Sequence, residues 1–436
     1  MIPDPQQGSR CRATGTLPNA CIHRVNPEQY CPFLPTNQRQ PCLRLTGIPM
    51  HVLGELSVEE FLRDYWQKKP VLIRNAWPGF QPLLAADELA GLSLEEEIES
   101  RIVIENGETG PWEIHKGPFP EEFFQDLPEN KWTLLVQAVD HWIPEAADLL
   151  ENFRFIPRWR IDDLMISFAV DGGSVGPHYD QYDVFLLQAE GQREWRIGQV
   201  CGETSPIMDG PKIRILSNFE ETDRWVLNPG DMLYLPPQVA HWGIAQGSCQ
   251  TYSIGFRAPS QAELAQSALD QILATSNEDM RYTDADLSLR SSSGEITTED
   301  TSRLLNLISA AIQQPQLLTD VLGKLMTEAK YPEHQAERLE DEEWDEWRAG
   351  FRRLPDLRKA EQARFAYART DSGVRFYALG QQWDLAADDL ELVAYLCDHN
   401  DYPRKELAAI DCSEDGSALL RDLWLQQLIY SGDNDE

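Results

Sequence analysis

The chain has 436 residues, 42% of them hydrophobic, and its 72 Asp and Glu against 38 Lys and Arg give a formal net charge of -34. That length allows two or three domains with a sizeable core, the composition is that of a folded chain, and no apolar run approaches the length of a bilayer span. So negative a field repels nucleic-acid phosphates and draws Lys- and Arg-rich surfaces; it suits a plain well-solvated acidic protein too, and beside a metal site it favours a basic protein partner, with no DNA expected.

Residues 1–49 are rich in Pro, Gln, Arg, Thr and Asn without an apolar period, and read as a disordered tail or as an upstream extension from too early a start codon, with Met50 heading the ordered sequence. Cys11, Cys21, Cys31 and Cys42 fall in this segment. Their gaps match no paired zinc-ligand spacing, and disulfides do not suit a reducing compartment. The first residues lack a basic segment followed by an apolar one, so the expected compartment is the cytoplasm.

Ser57-Val58-Glu59-Glu60 has the pattern of a capping box, followed by Phe61, Leu62, Tyr65 and Trp66 at helical spacing, until Lys69-Pro70 stops the helix. Val71–Ile73 reads as a strand, 87–99 as an acidic helix, and 101–104 and 132–136 as further strands. From Trp159 to Arg257 short strands follow one another with no intervening helix: 183–188, 194–197, 224–227, 232–235 and 250–256. That spacing predicts an antiparallel barrel, a mainly β cupin-like double-stranded β-helix with helices outside, occupying residues 50–259.

After Pro259 the pattern turns helical over 261–273 and 301–326 with a break at Pro315. Leu304, Leu305, Leu307, Ile308 and Ile312 form an apolar face, which reads either as a dimerisation element over residues 260–330 or as packing against the chain's own barrel. In residues 331–436 a hairpin around Asp371-Ser372-Gly373 and two helices suggest a winged-helix-like module, whose nearly neutral 419–425 segment argues against nucleic-acid binding.

The chemistry concentrates in Gly176-Pro177-His178-Tyr179-Asp180 and, after another strand, His241. Alternate residues of an extended chain share a side, so His178 and Asp180 can reach one ion, with His241 supplied by a neighbouring strand. Two imidazoles and one carboxylate on one face of an octahedral metal leave the opposite positions open, the donor set of non-haem iron(II) oxygenases. A His-x-Asp pair alone is common by chance. Here both histidines stand beside strand and turn signals, in a chain with only 8 histidines.

Trp159–Ser167, Gly176–His178 with Asp180–Phe185, and Tyr252–Pro259 closely resemble the bacterial JmjC-type ribosomal oxygenases. The resemblance runs from about His51 to the C-terminus and is strongest through the barrel. It implies an iron(II)- and 2-oxoglutarate-dependent arginine hydroxylase, consuming O2 and acting on large-subunit ribosomal protein sixteen. It implies His178, Asp180 and His241 as metal ligands, and Arg193 as the fork that holds the distal carboxylate of 2-oxoglutarate, with Ser253 as a hydroxyl partner. Strand alternation puts Arg193 and Trp195 on one face and Arg196 on the other, so only one of these arginines points inward. Asp171, Tyr182 and Asp183 are candidates to meet the substrate arginine, Asp183 being equally a turn or packing residue. The rival readings are histidine hydroxylation of a ribosomal protein or lysine demethylation by the same chemistry, and a non-catalytic metal-bound cupin. A homodimer is expected from the helical stripe and from the resemblance.

Overall fold

The computed structural model describes residues 52–105, 112–210, 213–275, 280–314, 316–340 and 356–431. The expectations for residues 1–49, including Cys11, Cys21, Cys31 and Cys42, lie outside them. The described chain divides into two compact units: one runs to Phe155 and resumes over Asp163–Phe256, and the other combines Ile156–Asp162 with the chain from Arg257 onward.

The first unit is a barrel. Its strands are β1 (Val71–Ile73), β2 (Ser100–Glu105), β3 (Trp112–Lys116), β4 (Trp132–Val136), β5 (Ile161–Ala169), β6 (Val184–Val200), β7 (Asp223–Leu227), β8 (Met232–Leu235) and β9 (Val239–Phe256). Among the described residues they hydrogen-bond in the order β1-β8-β6-β9-β5-β4-β2-β3, with β7 also paired to β6. This is the mainly β, antiparallel, cupin-like fold that the strand spacing predicts. The two central strands are longer than the sequence suggests, because 183–188 and 194–197 are one strand of 17 residues. Glu190-Gly191 bulges without ending it, and Gly191 is needed there: its φ is +63° and a Cβ would lie 2.1 Å from the Ser248 carbonyl oxygen. His241 likewise lies inside β9, which begins at Val239.

Alternation gives the barrel two packed faces. Val184, Leu186, Trp195, Ile197, Leu233 and Leu235 fill one cluster. Phe185 of β6 stands opposite Tyr234 of β8 and turns the other way, onto helix α1 (Val58–Asp64). Phe61 of that helix is fully buried, with its ring centroid 5.0 Å from Tyr234 and 5.5 Å from Phe185. Burying such a ring stabilises by about 1.5–3 kcal/mol. The helix starts where the capping signal places it, Ser57 Oγ accepting from the Glu60 amide at 3.1 Å. The acidic stretch 87–99 is helical only in α2 (Ala86–Leu92). Helix α3 spans Pro144–Leu149.

The second unit carries α4 (Gln261–Thr275), α5 (Thr298–Ile312) and α6 (Leu317–Thr327). Beyond them, β10 (Leu357–Lys359) pairs with β14 (Asp401–Tyr402) and β15 (Ile429–Ser431), while β11 (Phe365–Arg369), β12 (Val374–Ala378) and β13 (Gln381–Leu385) form a meander. Helices α7 (Leu390–Asp398), α8 (Arg404–Leu407) and α9 (Glu414–Leu425) complete it around Phe376, Leu392, Leu396 and Leu419. The hairpin around residue 372 thus gains a third strand, and a second small sheet stands beside it. That is more β structure than the helices and single hairpin behind the winged-helix expectation. No helix of the described residues is long and apolar enough to cross a membrane.

Candidate active site

Backbone pairing brings the two histidines together. The chain before β6 crosses the start of β9, and His178 and His241 exchange both amide hydrogen bonds, at 3.0 and 2.8 Å. Their ring centroids are 4.3 Å apart. The Asp180 carbonyl accepts from the Gln238 amide at 2.7 Å, which ties the carboxylate-bearing residue to the turn before β9. Asp180 Oδ2 lies 3.6 Å from His241 Nε2, and one ligand atom from each of His178, Asp180 and His241 falls within 4.8 Å of the others.

The ring orientations are fixed by carbonyls. His178 Nδ1 is 2.9 Å from the Gly176 oxygen, and His241 Nδ1 is 3.0 Å from the Val239 oxygen. A carbonyl only accepts, so each Nδ1 carries the proton and each Nε2 keeps a lone pair for a metal. Burial, reinforced by neighbouring His178, lowers the His241 imidazole to about 4, so it stays neutral and ligating near pH 7. Gly176, at φ +80°, makes the first of these contacts possible: a Cβ there would meet Ile215 Cδ1 at 2.4 Å.

Further along the interior face of β6 lies Arg193, 5% exposed. Its Nη1 sits 3.5 Å from Ser167 Oγ, at the limit of a hydrogen bond, while Nε and Nη2 are buried with no protein partner among the described residues. A buried guanidinium in this condition calls for an anion, and its planar fork suits a carboxylate. Arg196 takes the other face, bonded to Glu194 Oε1 at 2.8 Å and set over the Trp242 ring. The two arginines thus take opposite faces, as strand alternation requires, and the buried one is Arg193. Ser253 of β9 is buried opposite Leu186. Ser167, on β5, and Trp195, on β6, also line this region; the first is an ordinary strand serine in the sequence and nothing short of the fold marks it.

The three substrate candidates separate. Asp183 is fully buried, its carboxylate accepting from Tyr234 Oη at 2.6 Å and from Gln67 Nε2 at 2.9 Å, surroundings that suit the packing alternative. Asp171 is exposed in the turn after β5 and accepts from the Gly247 amide at 2.8 Å. Tyr182 is 42% exposed.

Comparison with known proteins agrees with this geometry. A JmjC domain matches residues 148–264. The ribosomal protein uL16 3-hydroxylase of Escherichia coli K12 is 38% identical over 276 residues, covering 63% of this chain and 73% of that protein. A probable ribosomal oxygenase of Haemophilus influenzae is 39% identical over 253 residues, 58% of this chain and 61% of its own length. The solved structure of YcfD, a ribosomal oxygenase from E. coli in complex with cobalt and 2-oxoglutarate, superposes with a TM-score of 0.74 at 31% identity, covering 87% of this chain and 99% of that one.

Proposed function

The chain belongs to the JmjC ribosomal oxygenases, and from that premise we propose that it is an iron(II)- and 2-oxoglutarate-dependent oxygenase that hydroxylates an arginine side chain of ribosomal protein uL16. The observation that carries the cosubstrate assignment is Arg193: a buried guanidinium with two unpartnered nitrogens, in the same barrel as a facial His-Asp-His set. A metal held only for stability would not require it. His178, Asp180 and His241 would hold the iron, Arg193 with Ser253 the distal carboxylate of 2-oxoglutarate. Iron with 2-oxoglutarate and O2 supplies oxidative decarboxylation to succinate and carbon dioxide, coupled to insertion of one oxygen atom into a substrate C–H bond.

The chain's own residues do the positioning. The carbonyls of Gly176 and Val239 hold both imidazoles in the ligating tautomer, and the His178–His241 backbone bridge fixes their separation. The buried barrel wall of Trp195, Ile197 and Leu233 keeps water from the reacting end. Exposed Asp171 and Tyr182 would offer a carboxylate and a ring to a substrate guanidinium. The net charge of -34 favours encounter with a basic ribosomal protein, in the cytoplasm where that protein is made. The exposed apolar residues Leu304, Leu305, Ile308 and Ile312 of α5 are assigned to a homodimer contact.

The test is direct. Purified protein with iron(II), 2-oxoglutarate and uL16 or its peptides is expected to add one oxygen mass to an arginine. A gain on histidine instead, or loss of methyl from lysine, would move the reading to those activities. Absence of succinate with every substrate would leave a non-catalytic cupin.

A further inference from the structure

Between the carboxylate fork and the metal end stands one residue of the barrel wall whose placement goes beyond excluding water. Trp195 is 5% exposed and shares its face of β6 with Arg193. Its ring centroid is 5.8 Å from the Arg193 guanidinium carbon, and its ring lies 5.9 Å from that of His241. The indole therefore spans the gap between the two ends of the site. It can do so because the residue opposite on β9 is Gly243: a Cβ there would lie 2.8 Å from both Cη2 and Cζ3 of the indole. The other buried members of its cluster are aliphatic, Ile197, Leu227 and Leu233 among them, with half-buried Trp225 opposite it on β7. Yet the indole Nε1 is buried with no acceptor among the described residues. A core that needed only a hydrophobic filler would not leave an N–H stranded in it.

Resting on the cosubstrate assignment above, we propose that Trp195, seated over Gly243, is a specificity residue: its ring sets the length of dicarboxylate that can join Arg193 to the metal, and its N–H serves an oxygen of that ligand. A rigid plane held at both ends is a gauge of length. A five-carbon 2-oxo diacid fits along it, while a shorter one falls short of one anchor and a longer one must buckle against the ring. The indole body covers the two methylenes between the ligand's oxygens.

Binding without turnover tests this. Protein loaded with manganese(II), without oxygen, is titrated calorimetrically with 2-oxoglutarate, four-carbon oxaloacetate and six-carbon 2-oxoadipate, and manganese affinity is read separately by electron paramagnetic resonance. Wild type should favour 2-oxoglutarate over both by about tenfold or more. Trp195→Phe keeps most of the ring and loses the N–H, and should weaken 2-oxoglutarate about tenfold with manganese affinity within about twofold. Trp195→Leu opens the wall and should compress the preference over 2-oxoadipate to about threefold or less. Gly243→Ala, which drives the ring from its seat, should weaken 2-oxoglutarate at least as much as Trp195→Phe. Unchanged length preference in Trp195→Leu, or parallel loss of manganese and cosubstrate in Trp195→Phe, overturns the proposal and leaves a merely structural tryptophan. If wild type binds manganese but none of the diacids, the cosubstrate assignment falls, and this inference with it.

Discussion

Strand β9 has buried side chains at most of its 18 positions, whereas α5, with 15 residues, buries none. The two differ in what covers them. Across β9, one face meets the metal-site interior through His241 and Ser253, and the other reaches the aromatic cluster through Phe256, whose ring is 5.3 Å from Trp66. Helix α5 is held by local devices: a capping box in which the Thr297 amide donates to Asp300 at 2.9 Å, and the pairs Arg290–Asp300 and Arg303–Asp286. Such solvent-screened pairs contribute little. An amphipathic helix of that length derives most of its stability from a packed face. The barrel thus gathers the proposed site from residues of one chain, while the stripe on α5 is the face we propose for a second copy.

The largest expected effect lies wholly in the barrel. His178→Ala or Asp180→Ala should cut turnover by about a thousandfold or more, with unchanged circular dichroism, because a facial set that has lost one donor holds neither metal nor geometry. Retained turnover would mean that other residues bind the metal. Next comes Arg193→Gln, expected to raise the KM for 2-oxoglutarate about a hundredfold through loss of a buried charge-assisted fork. Its kcat at saturating cosubstrate should change far less, and an equal fall in kcat would place Arg193 in the chemistry itself.

The same contrast explains what could be read before the fold was seen. Asp180 two residues after His178 carries its own geometric meaning, since extended chain puts both on one side. Period two likewise says that only one of Arg193 and Arg196 points inward, and the family resemblance named Arg193. A neighbouring strand could be named as the source of His241, but which residues stand opposite each other across strands did not show. The single strand β6 reads as two because Gly191 resembles a turn, and only the Ser248 carbonyl at its back reveals a bulge. Asp183 sits in the midst of the motif, yet its carboxylate belongs to Tyr234, whose register with Phe185 no local pattern gives. The absence of a Cβ at Gly243 means nothing until Trp195 is found across from it. Similarly, the stripe on α5 is plain in the sequence, but spacing does not tell a self-packed face from an uncovered one.

Charging that stripe is the way to break the comparison outside the barrel. Leu305→Glu with Ile308→Glu should convert dimer to monomer in sedimentation velocity, while 2-oxoglutarate affinity stays within about twofold and monomer stability moves by no more than about 0.5 kcal/mol. A dimer that survives both charges would show that α5 is not the interface, and a loss of cosubstrate binding would show that the barrel is not self-sufficient.

The smallest effect concerns how the second unit holds α6. Burial would raise the Asp162 carboxyl, but Lys330, Arg364 and Arg257 around it outweigh burial and hold it below the ordinary carboxylate range. Lys330 Nζ is 2.7 Å away, and Arg257 also donates to the Leu325 and Met326 carbonyls near the end of α6. The folded value is depressed, so this stabilisation is fully present above the unfolded carboxyl value of about 3.9 and disappears as pH falls through the folded value. Thermal melts of wild type between about pH 5 and 2.5 should therefore lose stability more steeply than melts of Asp162→Asn, which has no such proton to take up. At pH 7 the variant should already be weaker by about 2 kcal/mol, three clustered cations having lost their counter-charge. The difference between the two curves isolates this carboxylate from the many others that titrate in the same range. Parallel curves would mean that the cluster is held by its carbonyl contacts and not by charge.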